Sequence, residues 1–416
     1  MNPPQIAETV SGYNFTWQKE MITIEVTRVH AHTDGRVTGE IAISTSAPGY
    51  GPHLHQAQFN FSSSRSRREL AKTLEEKYPK LVNWHDILEQ LAVYTLDRAR
   101  RGETVSKLET GDNIKPPEYI LEPIILKNYP TIIFGDPSTA KSTVALIFAQ
   151  IMTWPLAWIG HFSEIIPPPQ PIVCLYLDYE TDDDTIRWML TKLQRGMKLP
   201  TLELNYRRCA LPLAQDVDQI HRHISDTQAE VIIIDSLGLA CGGELKEAES
   251  ALAFFSALRQ LKITSLILAH TAKNPETKKR SVFGSVFFEA QARSIWEIRK
   301  AQDTGEDEMD IALFHRKPPP FQRLCQPIGF NIKYGPDTMV VSQGKPRTIG
   351  EFLAALGTQA QIEELLKNGP MSTEEIARAL DTTQNAINVA ISRLKKKNRI
   401  IKLPGSKWGL TVELEL

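Results

Sequence analysis

A glycine, a lysine and a serine lie at the spacing of a phosphate-binding loop. The loop consists of Gly135, Asp136, Pro137, Ser138, Thr139, Ala140, Lys141 and Ser142. It follows an apolar run and precedes a segment of helical composition that begins at Thr143, which is the strand–loop–helix setting that such a loop requires. Backbone N–H groups of residues 135–143 can bind phosphate oxygens. The pattern predicts that Lys141 contacts the β- and γ-phosphates of ATP and that the Ser142 hydroxyl binds Mg²⁺.

One residue of this loop departs from the usual pattern. Ala140 stands where glycine is common. Its methyl group is small, but it restricts the backbone if the loop needs a positive φ at this position.

Two carboxylates and a histidine follow apolar runs farther along the chain. Asp235 ends the run 231–234 and is predicted to hold Mg²⁺ through water, opposite Ser142. His270 ends another apolar run, where it can contact the γ-phosphate or simply cap a strand.

The general base has two candidates at the end of the run Ile172–Leu177. Both Asp178 and Glu180 lie where a strand tip meets the ligand edge of an open α/β sheet. A carboxylate there can take a proton from the attacking water. We favour Glu180 and keep Asp178 as the rival.

Short apolar runs alternate with helical segments between about residues 120 and 345, which predicts an α/β domain with a mostly parallel sheet that is buried on both faces. The six predicted strands are Thr131–Phe134, Ile172–Leu177, Val231–Ile234, Ser265–Ala269, Ser294–Ile298 and Asp310–Phe314. Because parallel strands present their carboxyl ends at one edge, the loop, the carboxylates and His270 should converge there.

The order of these four elements resembles that of the RecA-like ring ATPases, most closely the plasmid replicative helicases of the RepA type and related mobile-element AAA-type ATPases. The resemblance covers roughly residues 115–345. It implies that Glu180 is the catalytic glutamate and that His270 senses the γ-phosphate. It also implies that Arg316 and Lys317 are fingers that act on ATP in a neighbouring subunit of a ring, commonly a hexamer. The prolines at 318–320 depart from the pattern.

Two loops of such a ring are predicted to face DNA in the central channel. The first, residues 242–246, is glycine-rich and only weakly basic. The second, residues 273–284, contains Lys278, Lys279 and Arg280, which suits contact with a phosphate backbone. A plain solvated surface loop is the alternative.

The C-terminal residues 358–416 have the pattern of a winged helix. Its third helix begins at Thr382–Thr383 and is predicted to turn Ala386, Val389, Ala390 and Leu394 inward. Asn388 and Arg393 would then point outward, as suits a recognition helix in the DNA major groove. Winged helices also serve as protein–protein modules, and the sequence leaves that alternative open.

The remaining segments are less informative. Residues 1–110 predict a small α+β domain of unknown role, and proline-rich residues 111–124 predict a linker before an ATPase domain at 125–345. The histidines near the N-terminus, including His30 and His32, have no nearby Cys or carboxylate cluster, so a metal site is disfavoured. Four separated cysteines and the lack of long apolar stretches predict a cytoplasmic protein without a membrane span.

The formal net charge of −1 requires any DNA-binding surface to be local. The sequence therefore predicts an ATP-hydrolysing, ring-forming motor on DNA that uses Mg²⁺, such as a helicase of a plasmid, phage or mobile element. The alternative is an ATP-switched DNA-binding regulator that does not separate strands.

Overall fold

The computed structural model describes most of the chain. The described residues are 2–9, 12–32, 34–79, 81–101, 105–111, 114–201, 203–245, 247–273, 280–282, 286–301, 306–344, 356 and 358–411, with residues 272, 273 and 280 described by their backbone alone.

The N-terminal region forms a five-stranded antiparallel sheet in chain order. Alternating apolar residues turn one face of this sheet toward a core. The strands are β1 (Gln5–Thr9), β2 (Gly12–Trp17), β3 (Ile22–Ala31), β4 (Val37–Thr45) and β5 (His53–Asn60).

Two helices, α1 (Ser64–Lys77) and α2 (Trp84–Arg101), contribute the other half of that core. The Ser63 hydroxyl accepts a hydrogen bond from the Ser66 N–H at the start of α1, and Asn83 caps α2 through the Asp86 N–H. This unit contacts the rest of the chain through Arg28, whose Nε lies 2.7 Å from Asp218 Oδ2.

The connecting segment joins the central core earlier than the sequence suggested. Residues 105–111 and 114–118 are exposed, but β6 (Tyr119–Leu121) and β7 (Ile125–Leu126) pair with each other. Leu121 and Ile124 are fully buried. The predicted linker at 111–124 therefore includes core residues at its end, because apolar side chains follow its prolines.

The central sheet has six parallel strands followed by three antiparallel ones, in the order β10-β9-β11-β12-β8-β14-β15-β16-β17. A short strand, β13, extends β12 as an antiparallel pair. The strands are β8 (Pro130–Gly135), β9 (Cys174–Asp178), β10 (Asn205–Arg208), β11 (Val231–Asp235), β12 (Thr264–Lys273), β13 (Arg280–Val282), β14 (Ser294–Ala301), β15 (Glu308–Lys317), β16 (Ile328–Tyr334) and β17 (Met339–Gln343).

Helices cover both faces of the parallel part. One face packs on α3 (Lys141–Thr153) and α4 (Asp183–Met197). The opposite face packs on α5 (Leu213–Thr227), α6 (Leu237–Cys241), α7 (Ala248–Leu261) and α8 (Val286–Gln291). The predicted α/β core with a mostly parallel sheet is confirmed, and each of the six predicted strands is present. The sequence did not indicate β10, β16 or β17.

The C-terminal region forms a separate small core. It contains α9 (Thr358–Leu366), α10 (Thr373–Ala379), α11 (Gln384–Lys396) and the strands β18 (Met371–Ser372), β19 (Ile400–Leu403) and β20 (Lys407–Leu410). The strands form one antiparallel sheet in which β20 is central. These are the elements that the winged-helix prediction requires.

Candidate active site at the carboxyl edge of the sheet

The loop after β8 places Lys141 at the first position of α3. Its Nζ donates hydrogen bonds to the carbonyl oxygens of Gly135 (3.2 Å) and Asp136 (2.9 Å), so the ammonium group closes over the loop. Burial lowers the pKa of Lys141, and the negative charges of Glu180, Asp235 and Asp136 oppose that shift. The cation is thus positioned where phosphate oxygens can replace the two carbonyls.

The loop has the backbone conformation that makes the alanine at 140 costly. Ala140 is left-handed, with φ 58° and ψ 31°, and Ser138 also has a positive φ of 59°. A left-handed φ is unfavourable for residues other than glycine. Glycine is needed at 135 for another reason, since a Cβ there would lie 2.4 Å from Ile298 Cγ2 and 2.8 Å from the Ile298 carbonyl oxygen.

Two threonines support the loop and its helix. The Thr139 hydroxyl donates to the Asp136 carbonyl at 2.8 Å, which closes a tight turn. Thr143 is buried and its hydroxyl interacts with that of Tyr334 on β16. The predicted contribution of Thr143 to nucleotide binding is through the backbone N–H, which this side-chain contact leaves unchanged.

Asp235 lies at the end of β11, and its side chain faces α3. It accepts a hydrogen bond from the Tyr176 hydroxyl at 2.6 Å and another from Ser142. Burial raises the pKa of Asp235, and these two hydrogen bonds oppose the shift. The Ser142 hydroxyl and the Asp235 carboxylate are adjacent oxygen ligands of the type that Mg²⁺ prefers, so this pair fits the predicted metal.

Glu180 lies just beyond β9 and is about one-third exposed, with a side-chain exposure of 34%. Its Oε1 accepts a short hydrogen bond from the hydroxyl of buried Ser236 and lies 3.4 Å from His270 Nε2. His270 pairs with Gly135 across β12 and β8, which brings its ring level with the start of the phosphate loop. Glu180, His270 and Lys141 thus converge on one edge of the sheet.

Asp178, the rival candidate for the base, is fully buried and its carboxylate oxygens already have partners. Oδ1 accepts from the N–H groups of Glu180 and Thr181, each at 2.9 Å. Oδ2 accepts from the hydroxyls of Thr181 at 2.6 Å and Tyr206 at 3.0 Å. These contacts fix the turn that carries Glu180 and leave Asp178 poorly placed to meet a water molecule.

The two finger candidates lie on the opposite edge of the sheet, because β15 runs antiparallel to β14. Lys317 pairs with Ile295, which is level with Ile132 near the start of β8. Neither finger candidate can therefore reach the phosphate loop of its own chain.

Both candidates have partners within the chain. Arg316 donates through Nε to Oε2 of buried Glu297 at 2.7 Å, and its guanidinium lies 5.3 Å from the Phe314 ring centroid. Lys317 Nζ donates to the carbonyls of Glu289 (2.6 Å), Ala290 (3.0 Å) and Ala292 (2.8 Å) at the end of α8. The sequence placed both residues after a strand, but they are the last two residues of β15.

Of the residues predicted to face DNA, the structure describes Arg280, Asn388 and Arg393. Lys278 and Lys279 lie outside the described residues. Arg280 was predicted to lie on a loop, but it lies in β13, where it pairs with Lys273. The two strands pair here because β12 continues three residues beyond His270. On α11, Asn388 and Arg393 are exposed, as predicted.

Sequence reasoning missed two hydroxyls in this site. Tyr176 is fully buried in β9 and interacts with both predicted magnesium ligands, Ser142 and Asp235. Ser236 directly follows Asp235 and holds Glu180. In the sequence, the only hint of this role is that a tyrosine interrupts the apolar run 172–177. Its hydrogen-bond partners follow only from the packing of β9 against β11 and α3.

One comparison with known proteins supports the ATPase interpretation. Residues 95–276, which are 182 of the 416 residues, match the model of a family described as an AAA domain. The match includes the phosphate loop, Glu180, Asp235 and His270, so this part of the chain is similar to an AAA domain. A KaiC-like protein from the hyperthermophilic archaeon Pyrococcus horikoshii OT3 is similar in structure, with 15% identity and a TM-score of 0.36. The alignment covers 53% of this chain and 93% of the archaeal one. Comparison with curated proteins found no match.

Within the described residues, no helix is both long enough and apolar enough to cross a membrane.

Proposed function

We propose that the chain is an ATP-hydrolysing motor that assembles into a ring on DNA, as a replicative helicase or helicase-like ATPase of a plasmid, phage or mobile element does. The observation that carries the ATPase part is the convergence of Lys141, Ser142–Asp235 and Glu180 at one edge of the parallel sheet. A cation, a pair of hard oxygen ligands and a carboxylate are the groups that phosphoryl transfer to water needs.

Each side chain has a separate task in this proposal. Lys141 leaves the two loop carbonyls and binds the β/γ-phosphate oxygens. Ser142 and, through water, Asp235 would hold Mg²⁺, which would supply positive charge to the phosphates when bound. Glu180 orients the attacking water and accepts its proton. His270, in contact with Glu180, hydrogen-bonds the γ-phosphate and senses its loss.

The ring part of the proposal is supported by the position of Arg316 and Lys317. Both cations end β15 on the edge away from their own phosphate loop. A role in hydrolysis therefore requires a neighbouring protomer, and a closed ring gives every protomer one such neighbour. Its subunit number is proposed as six, by the resemblance alone.

The DNA part is supported by the path of β12. This strand carries His270 and continues to Lys273, where it pairs with β13. In the sequence, Lys278, Lys279 and Arg280 follow the end of β12 within seven residues. DNA bound by these residues would therefore be connected through β12 to His270, which senses whether the γ-phosphate is present.

The test is ATP turnover by the full chain with and without single-stranded DNA, together with unwinding of a forked duplex. We expect single strands to stimulate turnover and forks to open. Lys141→Ala should reduce turnover by at least a hundredfold, because it removes the cation that neutralises phosphate charge. Turnover of that variant within about twofold of the wild type would refute the phosphate-loop assignment.

A second candidate function is an ATP-switched DNA-binding regulator. It is favoured by the charge of residues 384–411, which include seven Lys or Arg and no Asp or Glu. If duplex DNA is bound in an ATP-dependent way but no fork opens and single strands do not stimulate turnover, the regulator is the better description.

A further inference from the structure

Most of the basic charge of the C-terminal domain lies in one stretch of its sequence. Residues 384–411 form α11, β19 and β20. Their seven cations are Arg393, Lys395, Lys396, Lys397, Arg399, Lys402 and Lys407, and no acidic residue interrupts them. The domain's acidic residues include Glu363, Glu364, Glu374 and Glu375, which lie on α9 and α10. Arg399 pairs with Glu363 of α9 at 2.8 Å, so the favourable approach for a polyanion is along the cations at the end of α11.

The exposed face of α11 is not uniformly polar. Ile387, Ala390, Ile391 and Leu394 form its buried stripe, at the spacing of a helix face. Val389 was predicted from the sequence to face inward, but it is 53% exposed. The prediction failed because Ile387 and Ile391 occupy the core. The helix is therefore turned about its axis by about one residue from the predicted orientation, and Val389 faces away from the core.

Polar side chains surround Val389 on the exposed side of α11. Asn385 lies one helical turn before it and Ser392 one turn after it, whereas Asn388 lies farther round the same exposed side. Arg393 is one turn after it, followed by Lys395 and Lys396. The helix thus presents amides and an aliphatic group near its start and middle, and cations toward its end.

We propose that α11 reads A·T base pairs in the major groove of duplex DNA, with Val389 against the C5-methyl group of thymine. This inference rests on the proposed DNA-binding function and adds a base preference to it. A carboxamide can pair with adenine N6 and N7, and an aliphatic side chain distinguishes thymine by its methyl group. Asn385 supplies an amide one turn before Val389, and Asn388 supplies another farther round the exposed side.

The charge distribution selects DNA as the occupant over a protein groove. Phosphates fix the register of a bound duplex without reading its sequence, which suits Arg393, Lys395 and Lys396. An aliphatic residue gains nothing from phosphates, so Val389 marks the part of the face that meets base edges. A protein partner for this face would have to be strongly acidic around an apolar centre.

The experiment measures binding of the full chain to three short duplexes by fluorescence anisotropy at fixed salt. The probes are an alternating dA·dT duplex, the same duplex with dU for dT, and an alternating dG·dC duplex. The dU duplex lacks only the methyl groups. We expect the wild type to bind dA·dT about fourfold more tightly than dA·dU per methyl contact, the ratio for burying one methyl group.

Variants separate the methyl contact from changes in groove shape. Val389→Ala should lower the ratio of dA·dT to dA·dU affinity about fourfold relative to the wild type. Shape effects of the dU duplex act on both proteins, so they cancel in this comparison. Asn388→Ala should lose the preference for dA·dT over dG·dC. Arg393→Ala should weaken binding to all three duplexes by a similar factor.

Val340→Ala is the matched control, since Val340 is a 41% exposed valine on β17. It should retain the wild-type ratio between dA·dT and dA·dU. Circular dichroism should show that Val389→Ala keeps its helix content, as expected for an exposed position that receives a better helix former.

The outcomes distinguish this inference from the proposed function. If the wild type binds dA·dT and dA·dU equally, or if Val389→Ala keeps the wild-type ratio, the methyl contact is overturned while DNA binding stands. If no duplex is bound but single strands still stimulate turnover, α11 is a protein-docking face and the inference falls alone. If neither form of DNA is bound or stimulates turnover, the proposed function falls with it.

Discussion

At the scale of single residues, the site separates two carboxylates that lie two positions apart. Asp178 accepts hydrogen bonds on both oxygens and has no exposed surface, whereas Glu180 is partly exposed and contacts Ser236 and His270 through one oxygen. A general base needs access to water and to the reacting phosphate. The geometry therefore favours Glu180 as base and Asp178 as the residue that fixes its turn.

The first prediction concerns this pair. Glu180→Gln should bind ATP with nearly wild-type affinity but lose at least about a hundredfold in turnover, because an amide cannot accept the proton of water. A nucleotide-binding titration beside a steady-state assay measures both effects. Asp178→Asn should chiefly lower the melting temperature, since it disturbs four hydrogen bonds. If Asp178→Asn is folded but inactive and Glu180→Gln is active, the base has been assigned to the wrong carboxylate.

The second prediction concerns Tyr176, whose buried hydroxyl interacts with both predicted magnesium ligands. Burial holds the pKa of Tyr176 well above its usual range, so the hydroxyl remains a donor at every working pH. Tyr176→Phe removes one of the hydrogen bonds that lower the pKa of Asp235. We expect the acid limb of the pH–rate profile to move to higher pH and the half-saturating Mg²⁺ concentration to rise about fivefold, or roughly 1 kcal/mol.

Tyr206→Phe is the matched control for this experiment. The Tyr206 hydroxyl donates to Asp178 rather than to Asp235, at 3.0 Å. That variant should leave the Mg²⁺ dependence unchanged. Equal shifts in the two variants would mean that Tyr176 acts through general packing and does not position Asp235.

The third prediction is the stability cost of Asp235 in the absence of metal. Because burial raises its pKa, ionised Asp235 destabilises the fold above that pKa, and the cost disappears below the unfolded-state value of about 3.9. Asp235→Asn should therefore raise the metal-free melting temperature near pH 7, and the gain should vanish on acidification. Differential scanning calorimetry from pH 4 to pH 8 tests this. A gain that grows toward low pH would show the reverse sign and contradict the assignment.

At the scale of elements, the direction of β15 decides what Arg316 and Lys317 can do. An antiparallel strand after β14 returns the chain to the edge away from the phosphate loop. Arg316 is held there by Glu297, which also accepts a hydrogen bond from Arg299 at 2.8 Å. Lys317 satisfies three carbonyls at the end of α8, as basic residues often do at helix C-termini.

The fourth prediction follows from that placement. Arg316→Ala should cut turnover while each protomer still binds ATP. Lys317→Ala should do the same and also lower stability by about 1 kcal/mol, through the loss of hydrogen bonds at α8. Mixing Lys141→Ala chains, which retain the fingers, with Arg316→Ala chains should partly restore turnover if the fingers act between protomers. Mixed assemblies that form but stay inactive would exclude Arg316 as a finger in trans.

At the scale of the whole molecule, two basic regions belong to different domains. One is the sequence segment with Lys278, Lys279 and Arg280, which follows β12 along the chain, and the other is the α11–β20 region of the C-terminal domain. The proposed motor uses the first for single strands and the second for duplex. Phosphate contacts should be indifferent to sequence, whereas base contacts should not.

The fifth prediction is that these two activities are separable. Replacing Lys278, Lys279 and Arg280 with Ala should weaken single-strand binding uniformly across sequences and reduce its salt slope by about 2, as fewer counterions are released. DNA-stimulated turnover should fall while the basal rate survives. Changes at Asn388 and Arg393 should reduce duplex binding and spare single-strand stimulation. Salt-titrated anisotropy measures both, and a triple variant with the wild-type slope on single strands would rule out the channel-loop assignment.

The sequence by itself determined the identity of the chemical groups and the class of the core. A strand followed by residues 135–142 and a helix can be read directly, because local spacing alone creates the phosphate loop. Alternation of apolar runs with helical segments was sufficient to predict the parallel sheet. The same reasoning correctly marked Ala140 as a departure, and its left-handed φ shows why glycine is usual there.

Only the tertiary structure decided which groups meet. The sequence favoured Glu180 but left Asp178 as its rival. Their structural difference arises from Tyr206, which is 28 residues from Asp178, and Ser236, which is 56 residues from Glu180. The strand order likewise sends Lys317 to the far edge and lets Tyr176 bridge Ser142 and Asp235. Helix periodicity on α11 allowed two rotations, and the one that buries both Ile387 and Ile391 exposes Val389. Such choices depend on contacts between distant segments, which local spacing does not encode.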